Sequence, residues 1–115
     1  MSGITTESLN IQHLYTLKYK HPEPKKGIES FYSYIAKSMY IPLEARNTVS
    51  GKIYLTFIVD EEGNLVDPKV LKGLGYGLDE NAVKLIKEAK KWNPGVNRGI
   101  PVRILYKLPI TIFTK

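Results

Sequence analysis

Few residues in this sequence have the type and spacing that catalysis or metal binding requires. The two histidines, His13 and His21, both lie in the N-terminal part and have no carboxylate pairs nearby, so they do not form a recognisable metal site. Cysteine is absent, which excludes disulfide scaffolds, cysteine-ligated zinc, iron–sulfur clusters and thiol catalysis. No serine stands in a GxSxG nucleophile elbow. We therefore predict a protein that is not an enzyme and that holds no metal and no cofactor.

Two loops have compositions that could suggest a reactive or ligand-binding site. Asp60, Glu61 and Glu62 form an acidic cluster at a predicted hairpin tip, where exposed carboxylates are solvated and keep ordinary pKa values. The run Gly73–Gly77 precedes a predicted helix, as a phosphate-binding loop would, but its GxGxG spacing differs from the GxGxxG of dinucleotide sites. We interpret it as a flexible connection in which glycines relieve backbone strain.

The composition indicates one folded, basic domain. The chain has 115 residues, of which 43% are hydrophobic, and no stretch approaches a membrane span or reads as a signal peptide. Lys and Arg number 17 against 11 Asp and Glu, a net charge of +6, which favours an acidic partner such as nucleic acid, an anionic membrane or an acidic protein. Two interpretations, a solvated face and a polyanion site, stay open for the densest basic spots, which are Lys25, Lys26, Lys84, Lys87, Lys90 and Lys91.

The elements that must position any site follow from the periodicity of apolar residues. Residues 1–27 are predicted as a linker or tail that includes a short strand over 13–20, and residues 28–115 as the domain. A first helix is predicted over Ile28–Met39, and its apolar face consists of Ile28, Phe31, Tyr32, Ile35 and Met39. Pro42 ends this helix.

A hairpin follows the first helix. Its first strand begins at Gly51, and its second runs over Leu65–Leu71. Pro68 lacks an N–H group, which places it at a bulge or a free edge. A second helix is predicted from an N-cap at Asp79, with Leu78 and Val83 as a hydrophobic staple and an apolar face that continues to Trp92.

The final strand alternates without interruption from Val102 to Ile112. This order of elements predicts an α+β fold, with two helices packed on one face of a mainly antiparallel three- to four-stranded sheet. The predicted core includes Ile53, Leu55, Phe57, Trp92, Ile104 and Tyr106.

Pro109 indicates which side of the final strand could be open. A proline within a sheet is confined to edges or bulges, and the N–H and C=O groups of successive residues point alternately to the two sides of a strand. If Pro109 faces an open side, the backbone groups of Arg103, Leu105, Lys107 and Thr111 face it too. One interpretation is an edge that Arg103 and Lys107 protect by their charge. The other is β-augmentation, in which an extended peptide adds a strand.

The motifs over about residues 31–113, taken in order, resemble the C-terminal domain of TonB, the periplasmic end of an energy transducer of Gram-negative bacteria. The segments that carry the resemblance are Tyr40-Ile41-Pro42-Leu43-Glu44-Ala45, the strand and hairpin from Gly51 to Leu65, Leu78-Asp79-Glu80-Asn81-Ala82-Val83, Trp92-Asn93-Pro94-Gly95, and Gly99-Ile100-Pro101-Val102 running on to Phe113. The Trp-x-Pro-Gly and Gly-x-Pro-Val forms look like the Bacteroidetes branch. Here Ile41 stands between Tyr40 and Pro42, where the family usually has Tyr directly before the proline.

The resemblance implies a receptor-binding module that captures the TonB box, a short extended segment of outer-membrane transporters, as an added strand. The residues expected to pair with the box are Arg103, Leu105, Lys107 and Thr111, and the expected second contact is the pre-proline segment Met39, Tyr40 and Ile41. The resemblance also implies a periplasmic domain, anchored to the inner membrane in the full-length protein and linked through a preceding part to the ExbB–ExbD motor.

Several alternatives stay open at this point. The parent could be a membrane sensor or adaptor that carries the same module, because the anchor helix and Pro-rich linker of a transducer are not in this sequence. A small basic nucleic-acid binder is the weaker alternative, since Tyr54 with Lys52 is the nearest aromatic–basic pair. We expect no nucleic-acid partner. Attachment to peptidoglycan is neither supported nor excluded, and a strand-swapped homodimer is consistent with a long free edge.

Overall fold

The computed structural model of the chain describes residues 19–113. In chain order, its elements are β1 (Tyr19–Lys20), β2 (Glu23–Pro24), α1 (Ile28–Ser38), a 3-10 helix (Leu43–Ala45), β3 (Ser50–Val59), β4 (Leu65–Lys72), α2 (Leu78–Glu88), β5 (Trp92–Asn93), β6 (Gly95–Asn97), β7 (Ile100–Val102) and β8 (Ile104–Phe113). The α+β class predicted from the sequence is confirmed. Between residues 19 and 113, no helix has the length and hydrophobicity to cross a membrane.

The strands form three small antiparallel sheets rather than one. The largest has the order β4–β3–β8, and the other two have the orders β1–β6–β7 and β2–β5. β3 pairs with β8 over ten consecutive residues, from Ser50 with Phe113 to Val59 with Ile104, and the register does not shift. Of the predicted strand over 13–20, the last two residues form β1; the rest of it, His13 and the predicted polar tail lie outside the described residues.

One apolar core lies between the helices and one face of the largest sheet. Alternate residues of β3 supply its centre, because side chains of a strand point to opposite faces in turn. The buried residues of this core are Phe31, Ile35, Ala45, Val49, Ile53, Leu55, Phe57, Val59, Leu78, Ala82, Leu85, Ile86, Trp92, Leu108, Ile110 and Ile112. Burial of each large side chain stabilises the fold by about 1.5–3 kcal/mol.

Trp92 joins the core to the smaller sheets. The sequence pattern placed it on the second helix, but α2 ends at Glu88, and Trp92 begins β5, where it pairs with Pro24. Its ring lies 5.0 Å from that of Phe31 and 4.9 Å from that of Tyr106, both edge-on. Such edge-to-face pairs add about 0.5–1.5 kcal/mol beyond area burial.

The predicted start of the second helix is wrong. The N-cap is Gly77, at φ 76, and Leu78 is the first helical residue, so the proposed staple between Leu78 and Val83 does not apply. The carboxylate of Asp79 instead accepts hydrogen bonds from the backbone N–H groups of Leu74 (2.9 Å) and Gly75 (3.1 Å). Three successive residues with positive φ, Gly75 to Gly77, turn the chain so that this carboxylate reaches back into the loop.

Three smaller expectations also need correction. Ile28 begins α1 but stays 37% exposed, so it does not belong to the buried face. The final strand is interrupted at Arg103, which separates β7 from β8. Tyr106 and Ile104, both predicted as core residues, are only half-buried. Tyr106 packs against the core. Ile104 instead lies next to Gly95, where a Cβ added to the glycine would be 2.7 Å from Cγ1 of Ile104.

Candidate functional site

β8 forms one outer edge of the largest sheet, since β3 is its neighbour on one side and no strand in the described part of the chain pairs with the other. Pro109 lies opposite Tyr54 of β3, and its carbonyl accepts a hydrogen bond from the Tyr32 hydroxyl at 2.9 Å. The carbonyl therefore points away from β3. Because backbone groups alternate along a strand, the odd-numbered residues of β8 present their N–H and C=O groups at this open edge.

Three of the four predicted edge residues, Leu105, Lys107 and Thr111, are odd-numbered residues of β8 and so lie on this side of the strand. Leu105 is 67% exposed, and Lys107 and Thr111 are exposed as well. The Lys107 ammonium lies 5.8 Å from the ring centre of Tyr54, within the range of a cation–π interaction. Arg103 lies in the break before β8, and its Nη1 is 3.6 Å from Oε1 of Glu61. This surface ion pair ties one end of the edge to the hairpin tip.

The opposite edge of the sheet, β4, is irregular. Two register shifts interrupt its pairing with β3, one near residues 54–55 and one between Thr56 and Ile58. Asp67 at the second shift has φ 54, and Pro68 follows it inside the strand. The sequence prediction that Pro68 lies at a bulge or a free edge is confirmed on both counts. Bulges protect an edge against strand addition, and β8, whose pairing with β3 has no register shift, is the long regular edge within residues 19–113.

Tyr32 is the residue of this edge that the sequence pattern did not identify. The sequence pattern places it on the apolar face of the first helix, and it does pack half-buried against the core, but its hydroxyl also reaches Pro109. Desolvation raises the pKa of the Tyr32 phenol above its ordinary value, and the phenol of Tyr106 adds to that effect. A tyrosine at the margin of an apolar face needs a partner for its hydroxyl, which is the one signal in the sequence that hints at this contact.

The pre-proline segment directly follows α1 and contacts α2. Met39 and Ile41 pack against the core, whereas Tyr40 is 65% exposed. The backbone N–H of Tyr40 donates to the Asn81 side chain of α2 at 2.8 Å. The 3-10 helix that follows leads to Ser50, which pairs with Phe113 at the far end of β8.

The acidic hairpin tip has a structural role, and the expected ordinary pKa of its first residue is wrong. Oδ1 of Asp60 accepts from the backbone N–H groups of Glu62 (2.9 Å) and Asn64 (2.8 Å). Desolvation acts to raise the pKa of Asp60, but the hydrogen bonds from Asn64 and Glu62 and the nearby charge of Arg103 outweigh it and lower this pKa. Across the described residues, no three acidic or histidine side chains come together as metal ligands.

Comparison with known proteins places the chain in a family. The family described as "Gram-negative bacterial TonB protein C-terminal" matches residues 37–112. The chain belongs to this family. The NMR structure of the Helicobacter pylori TonB C-terminal domain has the same fold, with a TM-score of 0.59 at 20% identity over 76% of this chain and 94% of that one. A search of curated proteins gave no match.

The family-level resemblance inferred from the sequence motifs is thus confirmed. TonB C-terminal domains are periplasmic domains of Gram-negative bacteria, and they belong to transport and interaction proteins rather than to a known enzyme family. The matched range contains β3, α2 and all of β8 except Phe113, and it begins at Lys37, the next-to-last residue of α1. Tyr32 therefore lies outside the part of the chain that the TonB family defines.

Proposed function

We propose that this domain binds the TonB box of outer-membrane transporters by strand addition to the open edge of β8. One observation carries the proposal: ten consecutive residues of β8 pair with β3 in one register, while a side-chain hydroxyl rather than a strand contacts the outer side at Pro109. Main-chain hydrogen bonds supply the affinity in this mode of recognition. An extended peptide pairs best with a strand of regular, unshifted backbone.

The residues proposed to pair with the box are Arg103, Leu105, Lys107 and Thr111. Pro109 interrupts their row of donors because it has no N–H, so the added strand gains its bonds on both sides of it. The exposed charges of Arg103 and Lys107 raise the association rate with an acidic peptide more than its final affinity. We propose Met39, Tyr40 and Ile41 as a second contact, of which Tyr40 is the exposed member.

In the full-length protein, we propose that an inner-membrane anchor precedes this domain and couples it to the ExbB–ExbD motor. Force applied through the captured box would then remodel the transporter and drive substrate import. The same edge of β8 is open to the β8 strand of a second copy, which is the proposed route to a homodimer. We also propose that the chain comes from the Bacteroidetes branch of the family.

The test is an NMR titration of the isotopically labelled domain with synthetic TonB-box peptides. We expect amide shifts along residues 102–112 and near Met39–Ile41, at an affinity of roughly micromolar or weaker, because ordering of the peptide opposes a few main-chain bonds. Peptides N-methylated at alternate positions serve as controls. Methylation of the peptide N–H groups that face β8 should abolish binding, and methylation of the alternate N–H groups, which face away from β8, should preserve it. No shift at millimolar peptide, across boxes of several transporters, would favour the sensor or adaptor alternative.

A crosslinking experiment separates the two edges of the sheet. Because the chain has no cysteine, Leu105→Cys on β8 and Leu71→Cys on β4 introduce single thiols at positions of similar exposure, 67% and 59%. In the presence of a mild thiol oxidant, we expect Leu105→Cys to form a disulfide with a cysteine-containing box peptide and the thiol of Leu71→Cys to remain unreacted. Equal yields from both variants would rule out selective addition at β8.

A further inference from the structure

A cavity of about 420 Å³ lies between the first turn of α1, the turn after β2 and the segment that joins α2 to β5, and no residue of β8 lines it. Its apolar lining comes from Pro24, Phe31, Ala89 and Trp92. The Tyr34 hydroxyl donates to the Leu85 carbonyl at 2.8 Å, which holds α1 against α2 beside the cavity. A volume of this size falls within the range of ligand-binding pockets, about 300–1,000 Å³.

Two pairs of lysines that are distant in the sequence meet at this cavity. Lys25 and Lys26 come from the turn after β2, and Lys90 and Lys91 follow α2. All four are exposed, and Glu88 is the one acidic residue in the lining. The formal charge of the lining is therefore four positive and one negative, or +3. A concave site lined by one sign of charge attracts ligands of the other.

Hydrogen-bond donors without a partner within residues 19–113 occur in the first turn of α1 and on Trp92, both of which contribute residues to the cavity lining. The N-cap of α1 is Gly27, which supplies no side-chain cap, so the N–H groups of residues 28–30 have no partner among the described residues. Glu29 offsets part of the positive potential of this helix end. Independently, the indole Nε1 of Trp92 is the single buried side-chain polar atom without a partner in the described part of the chain. Trp92 is 1% exposed and lines the cavity.

We propose that this cavity binds an acidic peptide segment, with an apolar side chain against Phe31 and Trp92 and carboxylates among the four lysines. Charge complementarity carries the choice of an acidic ligand. The apolar lining favours a peptide, because a sugar–phosphate backbone presents no aliphatic side chain to fill it. The site is separate from the β8 edge, and this proposal does not depend on strand addition there.

The test uses Trp92 as the reporter, since it is the one tryptophan of the chain. The probes are Ac-Glu-Leu-Glu-NH2 and its neutral isostere Ac-Gln-Leu-Gln-NH2. We expect a saturable change in tryptophan fluorescence with the acidic peptide, binding at least about tenfold weaker for the neutral one, and weakening with added salt. Equal affinity of the two peptides would overturn the proposal, and so would the same response to sodium citrate alone.

A pair of variants locates the binding site. Lys90→Gln with Lys91→Gln should weaken the acidic peptide at least about fivefold, because two charges of the lining are lost. Lys84→Gln with Lys87→Gln on α2 removes the same charge from outside the lining and should leave the affinity unchanged. Equal weakening by both pairs would show a non-specific charge effect and overturn the site. Unchanged amide spectra of both variants establish that each is folded.

Discussion

The Tyr32 hydroxyl stands where an incoming strand would bond. It donates to the Pro109 carbonyl at 2.9 Å, on the open side of β8, and thereby satisfies one acceptor that an exposed edge leaves to water. An added peptide must replace this bond to pair at Pro109. At the scale of single residues, the Tyr32 hydroxyl therefore competes with an added peptide for the Pro109 carbonyl.

Tyr32→Phe should strengthen binding of a TonB-box peptide by a few-fold. The substitution frees the Pro109 carbonyl, and one net hydrogen bond is worth about 0.5–1.5 kcal/mol. Tyr34→Phe is the matched control, because its hydroxyl bonds to Leu85 of α2 at 2.8 Å and not to β8. Calorimetric titration of both variants measures the effect. Weaker binding by Tyr32→Phe would show that the hydroxyl assists the added strand instead of competing with it.

The β3–β4 hairpin is held to the rest of the fold by backbone contacts. The Trp92 N–H donates to the Gly63 carbonyl at 2.8 Å, and a Cβ built on Gly63 would collide with the carbonyl oxygen of Trp92. Gly63 also has φ +87, a conformation that glycine adopts without steric cost. At the scale of elements, this close approach packs the hairpin tip on β5.

Gly63→Ala should destabilise the domain by about 3 kcal/mol or more, since it combines a strained φ with a backbone clash. Gly99→Ala is the matched control, because Gly99 has φ +78 but nothing within 4 Å of a built Cβ. Strain alone should cost this control about 1 kcal/mol. Urea unfolding of both variants gives the comparison. Equal losses would mean that the hairpin tip moves to relieve the clash.

The whole molecule depends on residues that precede the family match. Phe31 and Ile35 of α1 belong to the core, and Pro24 pairs with Trp92 across two small strands. Tyr32 and Tyr34 link α1 to β8 and α2 through their hydroxyls. The residues matched by the family therefore fold against a partner helix that lies almost wholly outside the match.

A chain that begins at Lys37, where the family match starts, should lose at least about 4 kcal/mol of unfolding free energy. It removes two large core side chains, and truncation of each such side chain costs about 2–5 kcal/mol. Chemical denaturation of the two chains, followed by the fluorescence of Trp92, measures the difference. An unchanged midpoint would show that α1 does not stabilise the core.

Local patterns sufficed for the two long strands and for the edge. Alternation defined β3 and β8, because a half-buried strand requires a period of two, and Pro109 indicated the open side because proline has no N–H. Helix boundaries were less accurate. Asp79 has the chemistry of an N-cap, but its carboxylate bonds to Leu74 and Gly75 instead.

Contacts between distant segments could not be read from the chain. The meeting of Lys25 and Lys26 with Lys90 and Lys91, and of Tyr32 with β8, depends on how the helices pack and on where α2 ends. Periodicity reports which face of an element is apolar, but it carries no information on which residue of another element lies opposite. Register, packing and chain reversal set those pairings, and they arise only when the whole core forms.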